Sequence, residues 1–217
     1  MTAEGAGALR SNVAHWRALQ DADYFENHQC YGGLKAFGRD ATDTLARFLS
    51  LRPDMQVAVV GCGYGRDTLQ IAPQVAHVYG IDVSARILTK AHRFLEEHGV
   101  RNFTPVLAEL WRDGIPDGID LVFSIVVMQH LTRDLVRDYF AGFARKLAPG
   151  GSMVIQFLES RGYGQQDAEL ATYEPSVNWT CWDIMDLAEA VGLQAEIRTD
   201  RVAETALWHW GHFRRPA

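Results

Sequence analysis

Short β-branched runs alternate with longer amphipathic stretches through the middle of the chain. The apolar runs are residues 57–60, 77–82, 103–109, 120–126 and 152–158. Residues 66–71, 84–98 and 133–147 lie between them and are predicted to be helices. The third of these carries apolar side chains at spacings of three and four, which gives a helix one apolar face: Leu135, Val136, Tyr139, Phe140, Phe143 and Leu147. Strands alternating with helices predict a mostly parallel sheet with helices on both faces.

Capping and turn residues bound these helices. Ser84 and Thr132 are plausible N-caps, because their hydroxyl oxygens can accept a hydrogen bond from a free N–H of the first turn. Gly99 follows the second helix as a stop, and residues 149–151, Pro-Gly-Gly, are predicted to end the third.

Two segments lie outside the alternating core. Residues 1–50 are predicted to form a helical N-terminal arm or lid packed on an α/β domain of residues 51–217. Within that domain, residues 160–179 are polar and rich in turn formers, and a loop of such length is more often functional than idle. The tail is predicted to contain a helix over residues 181–191 and then two strands. The last strand alternates in polarity, which suits an antiparallel closing hairpin and completes a seven-stranded sheet.

Composition excludes several classes of function. The 217 residues carry 21 basic and 27 acidic side chains, for a net charge of -6, which argues against a nucleic-acid-binding surface. The three cysteines are far apart and show no metal-ligand spacing, so neither a disulfide framework nor a metal site is expected. No apolar run has the length of a membrane span, and no signal peptide is visible. We therefore expect a cytoplasmic protein, either a monomer or a homodimer, that does not bind a membrane.

The sequence VAVVGCGYGRD, residues 57–67, places three glycines where the first strand meets the first helix. Gly61, Gly63 and Gly65 permit positive φ and leave room for a ligand beside the backbone. Asp82 ends the second strand, which in a doubly wound sheet puts a carboxylate beside that turn, ready to accept hydrogen bonds from ribose hydroxyls. A tight turn without a ligand is the alternative, but the strand, the helix and the acid all fall at matching positions.

The glycine spacing distinguishes between two kinds of ligand. The dinucleotide fingerprint G-x-G-x-x-G would place its last glycine at position 66, where this chain has arginine. Arg66 would crowd the close approach of helix and sheet, so a ligand with a ribose and no pyrophosphate fits better.

These stretches resemble the motifs of class I S-adenosylmethionine-dependent methyltransferases of the small-molecule type. The glycine turn is similar to the first motif of that family, and the later motifs follow in register at residues 80–84, 106–110, 120–131 and 145–157. The resemblance implies a Rossmann-like fold over residues 57–158, S-adenosyl-L-methionine as cofactor and S-adenosyl-L-homocysteine as product. It assigns cofactor contacts to Gly61, Gly63, Gly65, Asp82, Val83, Glu109, Leu110, Ser124 and Ile125.

Methyl transfer from a sulfonium is an in-line displacement, in which the protein mainly positions the acceptor and excludes water. A hydroxyl acceptor benefits from a base, and His130 follows the fourth strand at the edge where ligands bind in such sheets. We therefore predict O-methylation of a small molecule, with His130 as candidate general base. A structural role, in which His130 caps or packs against the helix that starts after Thr132, is equally compatible with the sequence.

The acceptor is not evident from the sequence. Tyr31, Arg161 and Tyr163 are candidate contacts, because they lie in the two segments outside the recognisable motifs. N-methylation of a small amine remains open. From other classes, an NAD-dependent oxidoreductase and a non-catalytic S-adenosylmethionine-binding protein are the alternatives.

Overall fold

The computed structural model describes residues 13–22, 41–160, 177–204 and 206–216. Within these ranges, seven strands form one sheet in the order β3-β2-β1-β4-β5-β7-β6. The strands are β1 Gln56–Val60, β2 His77–Asp82, β3 Phe103–Leu107, β4 Ile119–Ser124, β5 Leu147–Ser160, β6 Gln194–Ala203 and β7 Ala206–Arg214. Strands β1 to β5 pair in parallel, whereas β7 runs antiparallel to both β5 and β6. The predicted fold class, a mostly parallel seven-stranded sheet closed by an antiparallel hairpin, is therefore confirmed.

Six helices connect or flank these strands within the described ranges. They are α1 Ala41–Ala46, α2 Arg66–Ile71, α3 Ala85–Glu97, α4 Trp111–Gly114, α5 Arg133–Lys146 and α6 Cys181–Ala190. Residues 13–21 are helical as well. The boundary at residue 50 between an arm and a core stays a prediction, since residues 1–12 and 23–40 lie outside the described residues.

The predicted caps explain where two of these helices begin. The Ser84 hydroxyl accepts from the Ile87 N–H at 3.1 Å, and the Thr132 hydroxyl accepts from the Leu135 N–H at 3.3 Å. Each satisfies one N–H of a first turn that has no partner inside the helix. Gly99 has φ +81°, the left-handed conformation expected of a residue that stops a helix.

The predicted end of one helix differs from the structure. Helix α5 ends at Lys146 and β5 begins directly at Leu147, so residues 149–151 belong to a strand instead of terminating the helix. Gly150 has φ +74°, and its N–H donates to the carbonyl of Arg215, next to the end of β7. Pairing with the C-terminal strand therefore draws this Pro-Gly-Gly turn into the sheet.

The sheet separates two apolar layers. Phe140, Phe157, Trp179 and Phe213 are fully buried on the face covered by α5 and α6. Trp210 is fully buried on the opposite face, which is covered by α2 and α3. Because β7 supplies Trp210 to one layer and Phe213 to the other, the predicted alternation of that strand holds. Within the described ranges, no helix has the length and apolarity needed to cross a bilayer.

Candidate active site at the glycine turn

All three glycines of the turn after β1 adopt left-handed backbone conformations. Their φ angles are +68° at Gly61, +50° at Gly63 and +86° at Gly65. Residues with a Cβ adopt such angles only at a cost, so the alternating glycines follow directly from the shape of the turn. The conformation expected from the sequence is therefore present.

An added Cβ would meet a neighbouring side chain at two of these positions. A Cβ on Gly61 would lie 2.2 Å from Cγ2 of Val127, which follows β4, and a Cβ on Gly65 would lie 3.1 Å from the Leu95 side chain. A Cβ on Gly63 would meet nothing within 4 Å. Gly61 and Gly65 thus permit close packing of the turn, whereas Gly63 leaves open space beside the backbone.

Asp82 is tied to this turn by hydrogen bonds. One carboxylate oxygen accepts from the Gly63 N–H at 2.9 Å, and the other accepts from the Val83 N–H at 2.8 Å and from the Ser84 N–H at 3.4 Å. The carboxyl is buried, and this burial raises its pKa from 3.8 to about 6, although the three N–H donors act in the opposite direction. Asp82 is therefore a buried carboxylate, fixed in place, whose remaining lone pairs can accept from a ligand hydroxyl.

A pocket opens above the carboxyl ends of β1, β2 and β4, and the turn and Asp82 both line it. This is the edge where open α/β sheets bind their ligands. The other lining side chains come from α2, the ends of the strands, the segments that follow β3 and β4, helix α5 and the N-terminal helical segment. They are Trp16, Gln20, Val60, Cys62, Tyr64, Arg66, Asp67, Ile81, Val83, Ala108, Ile125, Val126, Val127, His130, Leu131 and Tyr139.

His130 lies in this pocket and is almost entirely buried. Trp16 covers it: the indole Nε1–H donates to the His130 carbonyl at 3.1 Å, and the two ring centroids are 4.3 Å apart. Burial lowers the pKa of His130 from 6.5 to about 3, so the imidazole is neutral at any physiological pH. A neutral imidazole has one nitrogen that can accept a proton or a hydrogen bond.

Residues 57–151 match the family model described as a methyltransferase domain. The matched segment contains the glycine turn, Asp82 and His130. This segment is a methyltransferase domain. The methyltransferase family expected from the motifs is therefore confirmed for residues 57–151.

Solved structures share the fold of the methyltransferase domain and extend over the rest of the chain. The (4+2)-cyclase SpnF superposes with a TM-score of 0.76 at 14% identity, covering 95% of this chain and 97% of its own. DhpI, solved with S-adenosylhomocysteine, gives 0.66 at 20% identity over 98% of both chains. A Haemonchus contortus phosphoethanolamine N-methyltransferase in complex with S-adenosyl-L-methionine gives 0.66 at 16% identity, covering 94% of this chain and 57% of its own. No curated protein matches the sequence significantly.

The predicted cofactor contacts of the methyltransferase domain fall into two groups. Gly61, Gly63, Asp82, Val83 and Ile125 line the pocket. The others do not: Gly65 packs on Leu95, Leu110 is 59% exposed, Glu109 pairs with Arg17, and the buried Ser124 hydroxyl donates to the Val60 carbonyl at 3.1 Å.

The acceptor contacts predicted at Tyr31, Arg161 and Tyr163 lie outside the described residues. Among the pocket residues that the sequence did not assign to the site are Gln20 and Val126. Val126 has φ +59°, and it is the only residue other than glycine in the described ranges with positive φ. No sequence signal predicts this conformation, because a β-branched residue rarely adopts it. No group of three potential metal ligands is found among the described residues.

Proposed function

We propose that the methyltransferase domain binds S-adenosylmethionine across the ends of β2, β1 and β4 and transfers its methyl group to a small molecule, most favourably to a hydroxyl oxygen beside His130. The observation that carries this proposal is the shared pocket. A buried carboxylate, an open glycine turn and a buried imidazole all face it. A ribose, an amino-acid group and a methyl acceptor can therefore lie side by side.

Asp82 is the residue we assign to the ribose. Its two oxygens are held by backbone donors, so they cannot rotate away and need no reorganisation when a ligand binds. Two vicinal hydroxyls donating to one carboxylate would offset the cost of burying that charge. Val83, next in the chain, lines the same pocket and is assigned to the adenine. Glu109 and Leu110, which follow β3 and lie outside the pocket lining, are proposed at the adenine edge on the motif resemblance alone.

The amino-acid end of the cofactor is assigned to the glycine turn. Gly63 presents open space beside the backbone, and Arg66 and Asp67 line the same part of the pocket as an ion pair with a contact of 3.0 Å. A zwitterionic group carries one charge of each sign and therefore complements this pair. Because β1 lies between β2 and β4 in the sheet, this placement would direct the sulfonium towards Ile125 and the segment that leads to His130.

The chemistry needs little from the protein. With S-adenosylmethionine bound, an acceptor oxygen would attack the methyl carbon as the bond from carbon to sulfur breaks, which would leave S-adenosylhomocysteine, a methyl ether and one proton. The hydroxyl proton becomes strongly acidic as the new bond forms, so even the weakly basic His130 can accept it late in the step. Trp16 covers His130 and helps exclude water from the transfer site.

The decisive experiment measures turnover with labelled S-adenosylmethionine and an acceptor panel of phenols, alcohols, carboxylates and amines. For a hydroxyl acceptor we expect His130→Ala to lower kcat by about 100-fold, within the range typical of general bases. His130→Gln, which keeps a hydrogen-bonding side chain of similar size, separates proton transfer from packing. An unchanged rate in both variants at every pH would remove His130 as the base.

An amine acceptor is the second candidate, because the low pKa of His130 suits a substrate that brings its own lone pair. In that case the rate would follow deprotonation of the amine and would hardly depend on residue 130. S-adenosylhomocysteine binding without transfer to any acceptor class would favour a non-catalytic binding protein. A cytoplasmic location and a monomeric or homodimeric state stay predictions, which fractionation and light scattering would check.

A further inference from the structure

Two energetically unfavourable features meet at the wall of the pocket. Val126 is held at φ +59°, which a β-branched side chain tolerates poorly. Its N–H donates to the side-chain oxygen of Gln156 at 2.7 Å, and Gln156 is fully buried on β5. Within the described residues, the amide nitrogen of Gln156 has no hydrogen-bond acceptor. A strained backbone is thus held by a polar side chain that is itself incompletely satisfied.

Such costs persist in native proteins where the local geometry serves a function, because the rest of the structure must compensate for them. Packing of the core does not need them. An apolar residue at position 156 would fill the space beside Trp210, its neighbour across β5 and β7, and would remove the unpaired amide nitrogen, but it would also remove the acceptor of the Val126 N–H. The shape of the segment after β4 is therefore what the Gln156 side chain maintains.

That segment reaches the cofactor turn through direct contact. Val127 follows the strained residue. Its Cγ2 lies so close to Gly61 that a Cβ on that glycine would be only 2.2 Å from it. Val126 and Val127 both line the pocket beside the turn. A chain of contacts thus runs from Gln156 through Val126 and Val127 to Gly61.

We propose that Gln156 is a positioning residue that locks the peptide of Val126 and thereby shapes the part of the pocket that holds the amino-acid end of the cofactor. The inference rests on the proposed function, because it assumes that S-adenosylmethionine occupies the pocket with its ribose at Asp82. It adds that recognition of the amino-acid end depends on a residue two strands from the glycine turn, with β4 in between.

The test compares two ligands that differ only at that end. S-adenosylhomocysteine carries the amino-acid group, whereas 5′-methylthioadenosine keeps the adenine, ribose and sulfur without it. Gln156→Met keeps a similar volume and removes the acceptor for the Val126 N–H. By calorimetry we expect this variant to bind S-adenosylhomocysteine about tenfold more weakly and to bind 5′-methylthioadenosine within twofold of wild type.

Two further variants provide the controls. Gln156→Glu keeps an oxygen that accepts from Val126, so it should retain S-adenosylhomocysteine affinity within about threefold. Glycine adopts φ +59° without help. The affinity of the double variant Val126→Gly with Gln156→Met for S-adenosylhomocysteine should therefore be less than threefold below that of Val126→Gly alone. This comparison also stands if Gln156→Met by itself folds poorly.

Each outcome separates the inference from the function on which it rests. Equal weakening of both ligands by Gln156→Met, or no weakening of either, would overturn the role of Gln156 while leaving the cofactor assignment intact. If Gln156→Met still weakened S-adenosylhomocysteine binding tenfold in the Val126→Gly background, that result would also overturn the role of Gln156. Wild-type protein that binds neither ligand would overturn both proposals together.

Discussion

Trp16 and His130 are joined by two contacts although they lie 114 residues apart in the chain. The indole N–H donates to the histidine carbonyl, and the indole ring packs against the imidazole at a centroid distance of 4.3 Å. The N-terminal helical segment therefore covers the one histidine that lines the pocket, among the described residues, and keeps water from it. The electrostatic state of His130 depends on this cover.

Removing that cover should raise the pKa of His130. In Trp16→Ala, water reaches the imidazole, so the desolvation that lowers the pKa to about 3 is reduced and the value should move towards the ordinary 6.5. The measurement is an NMR titration of the imidazole proton, assigned by its absence in His130→Gln. A value still near 3 in Trp16→Ala would show that burial by other residues is sufficient.

Gly61 and Gly63 should differ sharply in their tolerance of alanine. Both have positive φ, so each substitution brings a backbone cost of about 1–2 kcal/mol. Only Gly61→Ala adds a clash, since its Cβ would lie 2.2 Å from Val127, whereas the Cβ of Gly63→Ala meets nothing within 4 Å. We expect urea unfolding to show that Gly61→Ala loses about 1–3 kcal/mol more stability than Gly63→Ala. Equal losses would mean that Val127 moves aside without cost.

Cofactor affinity should depend on the ionisation of Asp82. Burial raises its pKa to about 6 in the free protein, and ribose hydroxyls that donate to the carboxylate favour the charged form, so binding lowers that pKa again. Affinity for S-adenosylhomocysteine should therefore rise between about pH 5 and pH 7 and then level off, with proton release near pH 6. Calorimetry in buffers of different ionisation enthalpy measures both effects. Asp82→Asn should bind weakly and without this pH dependence.

The same raised pKa has a consequence for folding. A carboxyl whose folded-state pKa lies above its unfolded value favours the protonated folded form, so its contribution to stability is greatest below about pH 3.8 and is lost as the pH rises through about 6. The free energy of unfolding of Asp82→Asn should lack this decline. A wild-type decline that Asp82→Asn reproduces would assign the effect to another group.

Ser124 should matter for stability and little for the cofactor. Its hydroxyl is fully buried and donates to the Val60 carbonyl, which ties β4 to β1. We expect Ser124→Ala to lower the free energy of unfolding by about 1 kcal/mol and to leave S-adenosylhomocysteine affinity within about threefold. A tenfold loss of affinity with unchanged stability would instead support the direct contact that the motif resemblance implies.

Local patterns predicted the parts of this molecule that depend on local chemistry. Helix α2 and strand β2 have the bounds expected from residues 66–71 and 77–82, because strand composition and a glycine turn act over a few residues. The placement of Asp82 beside the turn followed from its position at the end of a parallel strand. These features place the pocket.

Features that depend on distant contacts were not predictable in the same way. The conformation of Val126 is held by a hydrogen bond to Gln156, which lies 30 residues later on another strand. The burial of His130 depends on Trp16, which lies 114 residues earlier in the chain. Neither contact leaves a periodic or compositional mark in the sequence, so the charge state of the candidate base and the shape of the pocket wall emerge only from the fold.

The order of the last two strands constrains how the molecule assembles. Strand β6 precedes β7 in the chain, yet β7 lies between β5 and β6 in the sheet. During synthesis β6 therefore emerges before the strand that attaches it, and it can join the sheet only as half of a hairpin. The same late strand contributes Trp210 and Phe213 to the two faces of the core. Nascent chains that stop before Ala206 should accordingly expose unfilled apolar surface on both sides of the sheet and depend on chaperones until the final strand inserts.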